Sequence, residues 1–370
     1  MKSIRHIFDT IVSEDNILDA INDEYTGCTG RRKKRVSYMM EEDRIDSVVK
    51  EIRERLLSKQ LQLGLPVVFD KVENCKMRHI VAPNVDDAIL IRAIVRVVEP
   101  MIYKKMTRHS YCPVAGRGGL LLARELERKL SKLHYVNEIW HKNHPKCKKR
   151  KVYALKIDIK KFFPSISHDV SMRALRNVFG TRGDDRVLEL LDRLIGGHLE
   201  IGAGFSAMAA NAVLIPIDRE LEGRHDVLGY FRYMDDILML FRSKAKARAA
   251  RELTEKLLNK LGLTMARKWS LFDSEMRPIV MGGFKIRRTG IHPSSHVCKG
   301  LNRQLAKGVK IGFDKLSEHE CRSLASRYGW IKNSDSFTYK EKWRKSNADI
   351  VFRRCRVSDR KSVETGKTHS

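Results

Sequence analysis

The sequence predicts an α+β fold, an antiparallel sheet with helices packed on one face. Three observations predict it. Apolar patterning runs in the order strand pair, helix, helix, strand–turn–strand, helix, strand, without the regular βαβ alternation of a parallel sheet. The segment YFRYMDDILMLF (230–241) reads as two apolar strands meeting at a polar turn. No repeat and no long Gly/Ser or Pro-rich linker interrupts the 370 residues, so the parts are expected to pack as lobes of one body.

Residues 1–65 read as helices around a basic turn, Arg31-Arg32-Lys33-Lys34-Arg35. VVFDKVENCKMRHIVAP (67–83) alternates apolar and polar residues about a turn, the signature of a β-hairpin. DDAILIRAIVRVVEPMIYKKM then places apolar residues at helical spacing behind an Asp cap. GRGGLLLARELERKLSKL starts at a glycine-rich turn and continues as a second helix. KNHPKCKKRK (142–151) is a basic insertion, a hairpin or loop, and KVYALKIDI (151–159) is a β-branched strand carrying an aspartate near its end. Helices are expected at 183–196 and 206–222, and KAKARAARELTEKLLNKLG is a helix stopped by Gly262. PIVMGGFKIRRTGIH reads as a further hairpin. Two helices follow Pro293, then a basic tail, 347–370, whose low apolar content predicts disorder.

Composition narrows the function. Mean hydropathy is −0.40, and no run of eighteen apolar residues exists to span a bilayer. The opening residues break their apolar run with charge and lack a cleavage site, so the cytoplasm is the expected compartment. Seven scattered cysteines without a CxxC pair argue against a disulfide framework and a zinc ribbon. His141, His144 and Cys147 come closest to a metal cluster, but a fourth ligand is missing and lysines surround them; a solvated basic loop is the better reading. Lys+Arg 73 against Asp+Glu 45 leaves a net charge of +28, and nucleic acid is the usual polyanion to neutralise it.

Three Asp-Asp pairs occur. Asp86-Asp87 and Asp184-Asp185 precede helical runs and read as caps. Asp235-Asp236 lies between two strands, where an acidic pair costs several kcal/mol unless neutralised. A divalent cation would do so, and Asp158, ending a strand of similar character, is the expected third ligand. Three such acids suit in-line phosphoryl transfer by two metal ions roughly 3.5–4 Å apart. The bland alternative is a solvated turn.

YMDD (233–236) together with LKIDIKKFFPSI (155–166) resembles the palm of reverse transcriptases, and the resemblance runs nearly the full length. It implies a right-hand polymerase fold: N-terminal helices and fingers at 1–150, with the basic insertion near 142–151; a palm at 151–290, including the nucleotide-facing loop-helix 201–222; and a small helical thumb at 291–346. KMRHIVAP looks like the fingers segment, with Arg78 and Lys76 where the incoming triphosphate is held. SYCPVAGRGG (110–119) is similar to the stretch that follows it. IGAGFSAMAANAVL (201–214) looks like the loop-helix under the nucleotide, which places Ser206 and Ala207 there. Ile159 falls among the metal and nucleotide contacts, and Phe163 at the sugar gate that favours deoxynucleotides. Lys268, in ARKWSLF, sits where the family places a lysine thought to protonate pyrophosphate. MGGFKI (281–286) resembles the primer grip, and SLASRYGWIKNSDSF (323–337) the thumb.

Plainer readings stand beside these: Arg78 as a surface residue, Phe163 as a core aromatic beside Phe162, Lys268 as a solvated helix-end lysine, Gly202 and Gly204 as turn glycines. The activity implied is RNA-directed DNA synthesis with two Mg2+ ions (Mn2+ as a substitute), an RNA template, a DNA or RNA primer and dNTPs. FFPSI, YMDD and YGW are most similar to the enzymes of bacterial diversity-generating retroelements, which implies a basic accessory protein or self-assembly. An antiphage-defence reverse transcriptase, templated or untemplated, is the alternative, and a non-catalytic RNA-binding scaffold another. One departure stands out. That subgroup usually carries Ser-Gln where this chain has Ser206-Ala207, a lost amide hydrogen bond worth about 0.5–1.5 kcal/mol. No RNase H, integrase or HNH segment is read beyond the thumb.

Overall fold

The computed structural model describes residues 6–28, 30–58, 61–73, 76–180 and 184–355, less the side chains of residues 72, 73 and 76. The chain forms two compact units. The first gathers Met1–Val114, Ile157–Ile237 and Arg248–Trp269; the second gathers Ala115–Lys156, Leu238–Ala247 and Ser270–Ser370.

Four helices open the first unit: α1 (Ile7–Ile11), α2 (Glu14–Gly27), α3 (Gly30–Met39) and α4 (Ile45–Leu57). Ser13 caps α2 by accepting the Asn16 N–H. The basic run 31–35, expected as a turn, instead lies inside α3. Lysine and arginine are good helix formers, and Val36 and Met39 give the helix a buried stripe. β1 (Val67–Glu73) and β2 (Lys76–Ala82) form the expected hairpin, Phe69 opposite Ile80. α5 (Val85–Lys105) is capped by Asn84, not by the acidic pair: the Asn84 side chain accepts the Asp87 N–H at 2.9 Å. Asp87 turns inward, 2% exposed, to accept from Arg55 at 2.5 Å and the Gly64 N–H at 2.7 Å. β3 (Ser110–Tyr111) follows.

The second unit begins with α6 (Gly119–Asn143) and a turn-and-loop segment through residue 150. β4 (Tyr153–Asp158) returns to the first unit at its tip, where α7 (Phe162–Ser165), α8 (His168–Phe179), α9 (Asp185–Leu194) and α10 (Ser206–Glu222) follow. Asp184 caps α9 as expected, accepting the Arg186 N–H. β5 (Gly229–Tyr233), β6 (Asp236–Phe241) and α11 (Lys244–Lys260) complete the middle of the chain, and Gly262 ends it with φ of 71°. β7 (Ser270–Asp273) comes next.

A five-stranded sheet has the order β3-β5-β6-β4-β7. β4 and β7 are antiparallel, and β3 adds a short parallel edge beside β5. β6 is central because it is apolar on both faces: Ile237, Leu238, Met239, Leu240 and Phe241 are each 0% exposed. In the first unit α10 packs against β5, α8 and α5.

PIVMGGFKIRRTGIH forms three strands where one hairpin was expected: β8 (Ile279–Met281), β9 (Phe284–Arg287) and β10 (Gly290–Pro293). The β8–β9 turn is Gly282-Gly283, both at positive φ, as a tight two-residue hairpin favours. Three helices follow, α12 (Ser295–Ile311), α13 (Glu318–Lys332) and α14 (Phe337–Lys345). Trp330 of α13 lies so close over Gly283 that a β-carbon there would meet its ring at 2.4 Å. The tail expected to be disordered from 347 is packed as far as 355. Ala348 and Val351 are buried with Trp343 and Leu324, and Arg354 donates to the carbonyls of Phe313 and Leu316. Residues 356–370 lie outside the described residues. No described helix is long and apolar enough to cross a membrane.

Candidate active site

Two residues, Met234 and Asp235, join β5 to β6. Met234 takes φ of 56°, a conformation that tight hairpins normally give to glycine and that costs a side-chain-bearing residue about 1–3 kcal/mol. The neighbourhood holds it there. Arg232, fully buried on β5, donates to the Met234 carbonyl at 3.1 Å and to the Asn211 side chain at 2.9 Å. The rest of its guanidinium grips the Asp218 carboxylate of α10 through Nε (2.7 and 3.0 Å) and Nη2 (2.8 Å). Tyr230 and Ser110 also donate to Asp218, at 2.5 and 2.7 Å. Burial first, and the Asp218 charge second, push the Tyr230 phenol well above its usual range. This buried ion pair is fully compensated, and it ties three elements to the turn.

The sequence reading missed this network. Its signals were visible: an arginine inside the apolar strand YFRYM, and an aspartate inside the apolar helix AVLIPID. Neither is explained by amphipathic patterning.

Asp158 ends β4, and a short ribbon pins its backbone. The Ala266 N–H donates to the Asp158 carbonyl at 2.7 Å, the Lys160 N–H to the Thr264 carbonyl at 2.9 Å, and Ile159 faces Met265 in an antiparallel bridge. Asp158, Asp235 and Asp236 are all half-buried. Asp235 is pushed up to about 6, by burial first, then by the charge of Asp158, then by that of Asp236; a hydrogen bond with Asp158 adds to the rise. The fold therefore brings the three expected acids together, with Asp158 within hydrogen-bonding reach of Asp235. The charges that raise Asp235 are both carboxylates.

An all-oxygen, net-negative donor set of this kind fits a hard divalent cation. Among the described residues no group of three or more His, Cys, Asp or Glu side chains is placed so that it could hold a metal ion by itself. A magnesium ion here would have to draw the rest of its ligands from water and substrate phosphate oxygens.

The other expected residues are distributed as follows. The Ile159 side chain is buried, 2% exposed, which leaves its main chain as the only group a ligand could meet. Phe162 is the core aromatic; Phe163, its ring 5.5 Å away, is half-exposed on α7. Arg78 is half-buried on β2, opposite Lys71. The Lys76 side chain lies outside the described residues. Lys268 is exposed, on the extended segment before β7 and not at a helix end. Ser206 is 1% exposed and its hydroxyl is buried with no partner among the described residues, while Ala207 is half-buried. The hydroxyl of Ser206 thus faces the protein interior, against the expectation of a nucleotide contact.

Gly202 is constrained by protein, not ligand. Its φ is 110°, and a β-carbon would meet the Val81 carbonyl at 2.8 Å, because the Val81 N–H bonds the Ile201 carbonyl at 2.8 Å. Glycine here lets the 201 loop lie against β2. The Tyr233 phenol, shifted upward by burial and by a hydrogen bond with Cys112, braces the same end of β5.

Residues 70–286 match the family described as Reverse transcriptase (RNA-dependent DNA polymerase). No curated protein matches the chain. Similar solved structures include apo telomerase from Candida tropicalis, at 11% identity and a TM-score of 0.49 over 80% of this chain and 63% of that one. Telomerase from Candida albicans in complex with a TWJ fragment of telomeric RNA is 12% identical, with a TM-score of 0.48 over 89% and 68%. The Candida tropicalis apo enzyme truncated from its C-terminal domain is 11% identical, with a TM-score of 0.44 over 62% and 55%. This chain thus spans between 55% and 68% of those structures. The matched segment is more than half of the chain and contains Arg78, all three aspartates, Ser206 and Lys268, and by that match the chain belongs to the reverse transcriptase family.

Proposed function

We propose that this chain is an RNA-directed DNA polymerase that builds cDNA on an RNA template, with Asp158, Asp235 and Asp236 as the ligands of two magnesium ions. The observation that carries the reading is the family match over residues 70–286, which contains all three aspartates, and the mutual charge of Asp158, Asp235 and Asp236 supports it. Bound metal would supply Lewis-acid stabilisation of the transferring phosphoryl group and of the primer hydroxyl.

The chain's own residues do the positioning. The Arg232–Asp218 pair fixes the turn that presents Asp235, and the 264–266 ribbon fixes Asp158. Ile159 offers its main chain beside Asp158. Arg78 is suited to hold triphosphate oxygens in a fork, with Lys76, two positions earlier in the sequence, proposed for the same role, and Lys268 to give a proton to the leaving pyrophosphate. The exposed edge of Phe163 is suited to exclude a 2′-hydroxyl. In this reading 1–150 acts as fingers, 151–290 as palm and 291–346 as thumb. Trp330 then clamps the primer-grip turn at Gly283.

The test is extension of oligo(dT) on poly(rA) with magnesium. Asp235→Ala is expected to abolish dTTP incorporation while RNA binding survives; retained incorporation overturns the assignment. Phe163→Ala is expected to let the enzyme accept UTP. The finer setting proposed is a diversity-generating retroelement, supported by FFPSI, YMDD and YGW. Ala207, where that subgroup usually carries Gln, weakens the retroelement setting and leaves the antiphage-defence alternative open; sequencing of nucleic acid co-purifying from the native cell separates the two.

A further inference from the structure

The basic segment 142–151 is an ordered feature of the second unit. Its cations Lys142, Lys146, Lys148, Lys149, Arg150 and Lys151 are all exposed. A chain segment this charged is ordinarily a solvated, mobile loop; here a specific core holds it. The Trp140 ring stacks on His144 at 4.7 Å and carries the Arg150 guanidinium at 3.8 Å on a face. The His144 Nδ1 contacts the Trp140 carbonyl at 2.9 Å, the Cys147 N–H bonds the His144 carbonyl at 3.0 Å, and buried Asn137 donates to the Arg150 carbonyl at 3.1 Å.

This anchoring gathers positive charge and leaves much of it unneutralised. Lys149 pairs with Glu138, and Lys151 with Asp273 at 3.3 Å. Lys142, Lys146 and Lys148 have no carboxylate partner among the described residues. Arg242 is bound to the same Asn137 side chain, and burial followed by the Arg150 charge lowers its pKa. Holding like charges together costs free energy that a bound polyanion returns. Beside the cations, Tyr135 and Ile139 are 66% and 42% exposed on α6. They precede Lys142 by seven and three residues, and so share its helical face. Flat apolar surface next to a row of ammonium groups is how single-stranded nucleic acid is held without sequence preference.

We infer that α6 and the 142–151 loop form a second RNA-binding surface, which grips a single-stranded segment through backbone phosphates and a base stacked on Tyr135. It goes beyond the polymerase reading and does not need it, since it uses none of the three acids.

The probe is a fluorescent 20-nucleotide oligouridine, titrated into the full chain without magnesium, with excess oligo(dG)·poly(rC) hybrid, which does not pair with it, present to fill any polymerase cleft. Replacing Lys142, Lys146 and Lys148 together by glutamine should weaken binding about tenfold at 100 mM salt. It should also lower the slope of log affinity against log salt by about 2, since each phosphate neutralised on a single strand contributes roughly 0.7. The matching triple arginine variant should keep binding. Tyr135→Ala should weaken oligouridine by at least about fivefold, the low end for one stacked base, and leave duplex RNA unaffected. An unchanged affinity and slope in the glutamine variant overturns the inference. So does displacement of the RNA by poly-glutamate as effective as by unlabelled oligouridine, which would mark a surface for acidic polypeptide. Because no synthesis is read, failure here leaves the polymerase reading intact, and failure of that reading leaves this one intact.

Discussion

Asp218 and Asp235 are both served by strand β5, yet their surroundings are opposite. Asp218 is fully buried and accepts from Arg232, Tyr230 and Ser110. Asp235 is half-buried and shares its space with two more carboxylates. Burial of charge alone therefore does not mark a functional site. What distinguishes the second cluster is that its charges reinforce one another, so that folding raises its energy. A compensated acid of this kind is architecture, and a cluster of acids that raise one another is the pattern a candidate functional site shows.

That contrast has consequences of different size. The largest concerns turnover: Asp158→Asn or Asp235→Ala should cut incorporation by roughly a thousandfold or more, ~4 kcal/mol of transition-state stabilisation, measured by primer extension. Stability should respond in the opposite sense at the two sites. Asp218→Asn strands a buried guanidinium and should lower the unfolding free energy by about 3–5 kcal/mol, read from urea denaturation. The double variant Asp218→Leu/Arg232→Met should recover most of that loss. Asp235→Asn, by contrast, should stabilise the metal-free protein by on the order of 1–2 kcal/mol. If both substitutions destabilise alike, the distinction between the clusters fails.

The pH dependence follows from the same shift. Asp235 is raised in the folded state from its ordinary 3.8 to about 6, so the folded chain binds the proton more tightly than the unfolded one. Its repulsion is absent below about 4, and metal-free stability should fall as pH rises from there through about 6. In Asp235→Asn that part of the slope should vanish. The smallest effect expected is at Met234, where glycine relieves the positive φ; Met234→Gly should change stability by about 0.5–1 kcal/mol in the favourable direction.

Much of this was legible in the residues. The β5–β6 hairpin, α10 and the hairpin of β1 and β2 follow from periodicity alone, and the choice of Asp235-Asp236 over the other acidic pairs followed from its strand context. The cap at Asn84 was missed because the Asp86-Asp87 pair heads the helical run and reads as a cap; only the fold shows Asp87 turned toward Arg55 and Gly64. The 31–35 run was read by charge, although its helix is decided by Val36 and Met39 on the other face. The tail at 347–355 was judged by its low apolar content, yet Ala348 and Val351 suffice because Trp343 and Leu324 already form a core for them to join. Arg232 stood out as a charge inside an apolar strand, but its pairing could not be read: the partner lies fourteen residues away on another element, and pairings of that kind are set by tertiary structure.

The central claim is that three aspartates converge to hold divalent cation. It is tested most directly by counting Mn2+ ions bound, by electron paramagnetic resonance, to the parent protein and to Asp158→Asn at pH 7.5 and at pH 5. Convergence requires that the parent bind at pH 7.5, lose affinity at pH 5 as Asp235 takes up its proton, and lose it at both values when Asp158 is replaced. Equal Mn2+ binding by parent and variant would contradict it.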